Sequence, residues 1–168
     1  MFTIEEIYEF GSKVRLRFAM KLADLPWDEV AKNREASFYN MKNILVHMVE
    51  CEDWIVGWVI PGKPTEFKDK NYDEFTSMRM VVDYLKEVES RTRNFLSNAS
   101  ESELAKKVDF VVSSGTFNIT VEECLFQSFT EQLYHLGELI ALLWQDNINP
   151  PPMMWFKNNP RENLARTP

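Results

Sequence analysis

Four stretches of this chain repeat apolar residues at the spacing of an α-helix, with helix-stopping residues between them. That pattern constrains the fold most, because an apolar stripe at helical period must be buried against another element. The first stretch opens on Thr3-Ile-Glu-Glu6, a capping-box pattern, and carries Ile7, Phe10, Val14 and Phe18. It is predicted to run to about Ala23, where Leu25-Pro26-Trp27 ends it and a polar connection follows. The second is predicted from about Ser37 to Val59, with Ile44, His47, Met48, Cys51, Trp54, Ile55 and Trp58 on its stripe. Pro61-Gly62-Lys63-Pro64 stops it. The third begins near Thr76, and its Met78, Val81, Leu85, Val88, Thr92 and Phe95 alternate steps of three and four, the seam of a bundle helix. The fourth and longest opens on a second capping-box pattern, Thr120-Val-Glu-Glu123. It runs to about Asp146, before Asn149 and Pro150-Pro-Pro152.

Between Lys106 and Ile119 the period changes to alternation: Val108, Phe110 and Val112, then Ser113-Ser-Gly115, then Phe117 and Ile119. That reads as a short hairpin or a tucked extended loop. The expected fold is all-α, an up-and-down four-helix bundle with a short hairpin insertion before the last helix. One domain is expected over residues 1–168, with a mostly irregular tail carrying Met153, Met154, Trp155 and Phe156.

Charge and composition exclude several functions. The 26 acidic residues outnumber the 19 basic ones and are spread along the chain, for a net charge of −7. Binding nucleic acid calls for a clustered basic face. The nearest cluster, Lys13, Arg15 and Arg17, spreads around a helix, so no nucleic-acid partner is expected. The longest apolar run, Trp54 to Ile60, is far short of the roughly 20 residues that span a bilayer. The start lacks the pattern of a signal peptide. No membrane partner is expected, and the protein is placed in the cytoplasm, with Cys51 and Cys124 as reduced thiols.

The chain has two histidines, His47 and His135, each inside a predicted helix on a predicted buried face. Glu131 lies four residues before His135, on the same helix face one turn away. A buried carboxylate needs a partner. With His47 from a facing helix, His47, Glu131 and His135 form a set of two nitrogens and one oxygen that leaves coordination positions open, as catalytic metal sites do. Ligand atoms on such an ion sit about 3.4 Å apart for bonds of about 2.1 Å, within reach of side chains one turn apart. A Glu131–His135 ion pair on the helix face and a core His47 bonded to a carbonyl describe the same residues, and the residues alone leave both readings open. Cys51 offers a fourth ligand but reads more simply as a small buried hydrophobe. Trp54, Trp58, Tyr134 and Trp155 could line a pocket over the metal, or serve as core. Gln127 and Glu138 are candidates for bonding the ligating groups, or for solvated and interhelical pairs. A di-iron bundle needs Glu-x-x-His on two helices, which this chain lacks. It also lacks a glycine-rich phosphate loop, a Cys-x-x-Cys pair and a recognisable nucleophile triad.

The segment Asn43-Ile-Leu-Val-His47-Met-Val-Glu-Cys-Glu-Asp-Trp54 resembles the first histidine segment of the DinB-like metal-binding bundle family. Glu131-Gln-Leu-Tyr-His135-Leu-Gly-Glu, with Pro150-Pro-Pro152 after it, resembles that family's final His-xxx-His-x-Gly-(Gln/Glu) helix. Here Glu131 stands where the family commonly has a histidine, which lowers the charge of the site by one and weakens its preference for softer metals. The resemblance implies one divalent ion (zinc, nickel, iron or manganese), a low-molecular-weight thiol as co-substrate, a small-molecule substrate and a homodimer. Two functions are therefore expected. One is a metal-dependent enzyme that transfers a thiol to a small electrophile or hydrolyses a small substrate. The other is a non-catalytic bundle that binds a small apolar ligand or a partner.

Overall fold

A computed structural model describes residues 2–158 of the chain. The end of the expected domain, residues 159–168, lies outside the described residues. Four long helices form: α1 (Ile4–Ala23), α3 (Met41–Trp54), α4 (Met78–Asn98) and α6 (Val121–Gln145). Shorter ones are α2 (Trp27–Ala31), α5 (Glu101–Leu104) and α7 (Trp155–Asn158). Both capping boxes are made: Thr3 and Thr120 cap α1 and α6, and Glu6 and Glu123 reach back to the cap backbone. The same device, Ser100 with Glu103, starts α5. Three expectations differ from the structure. The second helix, expected from about Ser37 to Val59, starts at Met41 behind its cap Asn40, and its end, Ile55–Val59, widens into a π-helical turn. The polar connection after α1 contains α2, whose Val30 is fully buried in the core, and the tail beyond the prolines winds into α7.

Around the bundle the order is α1, α6, α3, α4, each packed on its two neighbours. One cavity is lined by the first turns of α1 and α6 and by the last turns of α3 and α4. So α1 and α6 run one way, and α3 and α4 the other. Because α3 and α4 are parallel, residues 60–77 must return the chain along the bundle. The 21 residues of α4 cover roughly 30 Å, a span that this extended connection can cross.

The main core joins Val14, Phe18 and Leu22 of α1 to Ile44, Leu45 and Met48 of α3, Leu85 and Val88 of α4, and Leu136, Leu139 and Leu143 of α6. Gly11 permits the close approach of α1 to α6: a Cβ there would lie 2.7 Å from Gln132 Nε2 and 3.1 Å from the Phe129 ring. Before α6 come β1 (Lys107–Val112) and β2 (Gly115–Thr120), an antiparallel hairpin with Val112 opposite Gly115. Its Val108 and Phe110 point into a second core with Ile55, Val59, Leu96, Val121 and Cys124. Val112, beside the turn, and Phe117, although directly opposite the buried Phe110, stay exposed.

Of the three alternating cations of α1, Arg15 faces inward and is 1% exposed. Its guanidinium reaches Glu52 Oε2 at 2.6 Å and Glu89 Oε1 at 3.1 Å. Glu52 also accepts from Tyr8 and Thr92, and Glu89 from Ser12 and Arg93. Burial alone would lower the Arg15 pKa, but the two carboxylates outweigh it and hold the guanidinium charged. Removing one partner of such a buried pair strands the other charge. Arg15→Met, which keeps most of the volume, is expected to cost about 3–5 kcal/mol in urea unfolding. Replacing Arg15, Glu52 and Glu89 together by apolar residues is expected to cost less than that single change.

Candidate metal centre

Where α3 crosses α6, His47 of α3 faces Glu131 and His135 of α6. One ligand atom from each of the three lies within 4.8 Å of the others. Glu131 Oε1 is 3.3 Å from His135 Nε2 and 3.8 Å from His47 Nε2. His135 is buried, His47 half-buried, and Glu131 sits at the rim.

The far nitrogen of each ring shows what the near one carries. His135 Nδ1 lies 2.5 Å from Glu138 Oε2. Glu138 also accepts from the Ser37 hydroxyl at 2.8 Å and from the Ser37 N–H. Burial would raise the pKa of Glu138, but its bonds to His135 and Ser37 outweigh that and hold it below the ordinary carboxylate range. A carboxylate only accepts, so His135 Nδ1 donates to Glu138, and in the neutral ring Nε2 is the nitrogen that keeps a lone pair, 3.3 Å from Glu131 Oε1. His47 Nδ1 lies 3.2 Å from the Tyr72 hydroxyl, whose single proton goes to Glu50 Oε2 at 2.5 Å. The Tyr72 oxygen therefore accepts from His47, and His47 Nε2 also keeps its lone pair. Burial, with His135 second, lowers the pKa of His47 and favours its neutral form.

With both imidazoles neutral, their Nε2 lone pairs converge with Glu131 Oε1, which lies 3.3 Å from one and 3.8 Å from the other, all within 4.8 Å. Two nitrogens and a carboxylate oxygen are the donor set of a divalent cation, and the residues present fit one, the cation replacing any proton that His135 Nε2 donates to Glu131. Each imidazole has the outward hydrogen bond that commonly orients metal-bound histidine.

The surroundings come from parts of the chain without helical periodicity. The ring of Phe38 stacks on His47 at 3.9 Å between centroids and meets His135 edge-on at 5.4 Å. The loop that carries Phe38 is fastened by Arg34, which pairs with Asp146 at 2.6 Å beyond the end of α6. Cys51 Sγ lies 3.3 Å from His47 Nε2, and burial, followed by Glu131 and Glu50, raises its pKa to about 12. Cys51 is thus closer to the centre than a plain buried hydrophobe would be, while Cys124 is fully buried in the second core. Both are free thiols. A cleft of about 160 Å³ opens beside His47, lined by Glu50, Cys51, Trp54, Phe67 and Asp69.

Of the aromatic residues expected over the site, Trp54 lines this cleft and Tyr134 lies 5.0 Å from the His135 ring. Trp58 packs on Phe67, and Trp155 on Phe2 and Phe10. Glu138 bonds the imidazole of His135, whereas Gln127 is exposed. Sequence reasoning passed over Ser37, Phe38, Glu50 and Tyr72. Of these only Glu50 had a signal, its place one turn beyond His47.

The DinB family model matches residues 1–162, nearly the whole chain. The chain belongs to the DinB family. Solved structures share the fold. A DinB-like protein from Bacillus cereus ATCC 10987 superposes with a TM-score of 0.64 at 17% identity, covering 89% of this chain and 97% of its own. A conserved protein from Enterococcus faecalis gives 0.61 at 15% identity, covering 84% and 95%. A mycothiol-dependent maleylpyruvate isomerase gives 0.58 at 12% identity, covering 86% of this chain and 67% of its own. No curated protein matches the chain. At these identities the likeness concerns the fold, so the chemistry of this DinB member has to be argued from its own residues.

In the metal-free protein, ¹⁵N shifts are expected to show neutral His47 protonated at Nδ1, the nitrogen that faces Tyr72. A neutral His47 protonated at Nε2 would overturn this assignment.

Proposed function

We propose that the protein is a DinB-family metalloenzyme holding one divalent cation on His47 Nε2, Glu131 Oε1 and His135 Nε2. The observation that supports this reading is the convergence of His47 Nε2, Glu131 Oε1 and His135 Nε2 within 4.8 Å, each imidazole hydrogen-bonded at its Nδ1 on the far side. Zinc, nickel, iron and manganese all suit two imidazoles and a carboxylate, and the single oxygen shifts preference toward the harder of them. A bound divalent ion supplies Lewis acidity that lowers the pKa of a thiol or water at its remaining position.

The chain's own residues do the rest. Glu138 and the Tyr72 hydroxyl hold the two imidazoles in the ligating tautomer. Phe38 covers one side of His47 and keeps water off it. The cleft beside His47 has room for a ring-sized group against Trp54 and Phe67. We take the reaction to be transfer of a low-molecular-weight thiol to a small electrophile. It is supported by the presence, among proteins of this fold, of an isomerase named as dependent on mycothiol. Hydrolysis by a metal-activated water is the alternative. No helix among the described residues is long and apolar enough to cross a membrane, in keeping with a cytoplasmic enzyme.

A homodimer is part of the same reading. Phe126, Tyr134 and Trp144 are exposed on one face of α6, with Gly137 and Ala141 between them, and a second copy would cover that stripe.

Elemental analysis of protein purified without a histidine tag is expected to find close to one equivalent of a divalent metal. Glu131→Ala and His135→Ala are expected to lose it, and with it thiol transfer from a small thiol to an activated electrophile. Full turnover in metal-free His135→Ala would overturn the proposal, and turnover in wild type without any added thiol would favour hydrolysis.

A further inference from the structure

The connection that crosses back between α3 and α4, residues 60–77, has little backbone bonding to the helices beneath it. The backbone N–H groups of its two 3₁₀ turns, Pro64–Glu66 and Tyr72–Glu74, bond only within the connection itself. Rings pack toward its ends, Phe67 on Trp58 at 6.1 Å and Phe75 on Tyr84 at 5.6 Å. Nearer the middle the Lys70 ammonium reaches Asp53 at 3.9 Å and lies 5.0 Å from the Tyr84 ring. The hydrogen bonds of the middle converge on one buried carboxylate. The Lys70 backbone N–H donates to Glu50 Oε1 at 2.5 Å, and the Tyr72 hydroxyl donates to Glu50 Oε2 at 2.5 Å. Lys42 Nζ adds a bond to the Tyr72 carbonyl at 2.6 Å.

We infer that Glu50, acting through Tyr72, couples the docking of this connection to cation binding by His47, so that each strengthens the other. The inference rests on the metal reading above. Neither residue belongs to the three-acceptor cluster; both are positioning residues. The Tyr72 hydroxyl has one proton, and Glu50 takes it, so the oxygen turned toward His47 can only accept. While the connection is docked, the His47 proton is kept at Nδ1. When it lifts, Nδ1 loses its acceptor and the ring is free to carry its proton at Nε2, where it blocks the cation. Coupling of this kind is reciprocal: a cation that selects the Nδ1–H tautomer favours the docked connection by the same factor. Loss of an outer partner of a metal-bound histidine typically costs 10–100-fold in affinity.

The test uses the full chain and zinc alone as the probe. Tyr72→Phe deletes one oxygen and keeps the ring, and Glu50→Gln keeps the shape of its side chain. Zinc affinity, measured by competition with a chromophoric chelator, is expected to fall about 10–100-fold in either variant. Without metal, ¹⁵N shifts of His47 in Tyr72→Phe are expected to show a growing Nε2–H population, which a merely structural loss would not produce. In wild type, zinc is expected to slow exchange of the Lys70 amide hydrogen. Wild type that binds zinc, with Tyr72→Phe binding equally well and keeping the same tautomer, would overturn the coupling alone. Wild type that takes up no zinc would overturn the metal reading, and the coupling with it.

Discussion

The antiparallel contact of α3 with α6 is the most extensive helix–helix contact in the fold, and the rest of the architecture is arranged around it. It seats Ile44, Leu45 and Met48 with Leu136, Leu139 and Leu143 in the main core. The same crossing brings His47 opposite Glu131 and His135. A helix shows side chains three and four residues apart on one face, so the further nitrogen at that level comes from another element, here α3. With α3 committed to that direction and α4 parallel to it, the long return over residues 60–77 becomes necessary. That return carries Tyr72 to the far side of His47.

Carboxylates inside the bundle are neutralised in different ways. Glu52 and Glu89 meet Arg15, whose planar guanidinium spans both at hydrogen-bond distance. Asp53 is held by Arg91 and by the Tyr84 hydroxyl. Glu131, at the rim of the bundle, faces the two imidazoles, and among the described residues no arginine or lysine pairs with it. The bundle therefore contains structural sites whose cations are part of the chain, and a carboxylate whose partners are imidazoles. That contrast separates a scaffold from a centre suited to an exogenous cation.

Much of this was legible from residue order. The capping boxes at Thr3 and Thr120, the alternation around Val108 and Phe110, and the shared face of Glu131 and His135 follow from local patterns, whereas His47 joins that pair only where α3 crosses α6. Arg15 was not legible, because its alternation with Lys13 and Arg17 gives no hint of which cation turns inward. That depended on Glu52 and Glu89 arriving from two other helices. Ser37, Phe38 and Tyr72 lie in segments without a repeating pattern, and nothing in their order announces a histidine as neighbour. Trp155, which could line the site or serve as core, packs with the core against Phe10, because α7 packs on α1.

By itself the sequence determined which stretches become helices, roughly where they start and stop, and that Glu131 and His135 share one helix face, since these depend on spacing along one chain and on caps within a few residues. Tertiary structure decided the directions of the helices, the burial of Arg15, and the protonated nitrogen of each imidazole. A proton is assigned by the partner on the other side of the ring. Those partners, Tyr72 with Glu50 for His47 and Glu138 with Ser37 for His135, meet the rings only once the crossing connection and the loop before α3 have folded onto the bundle.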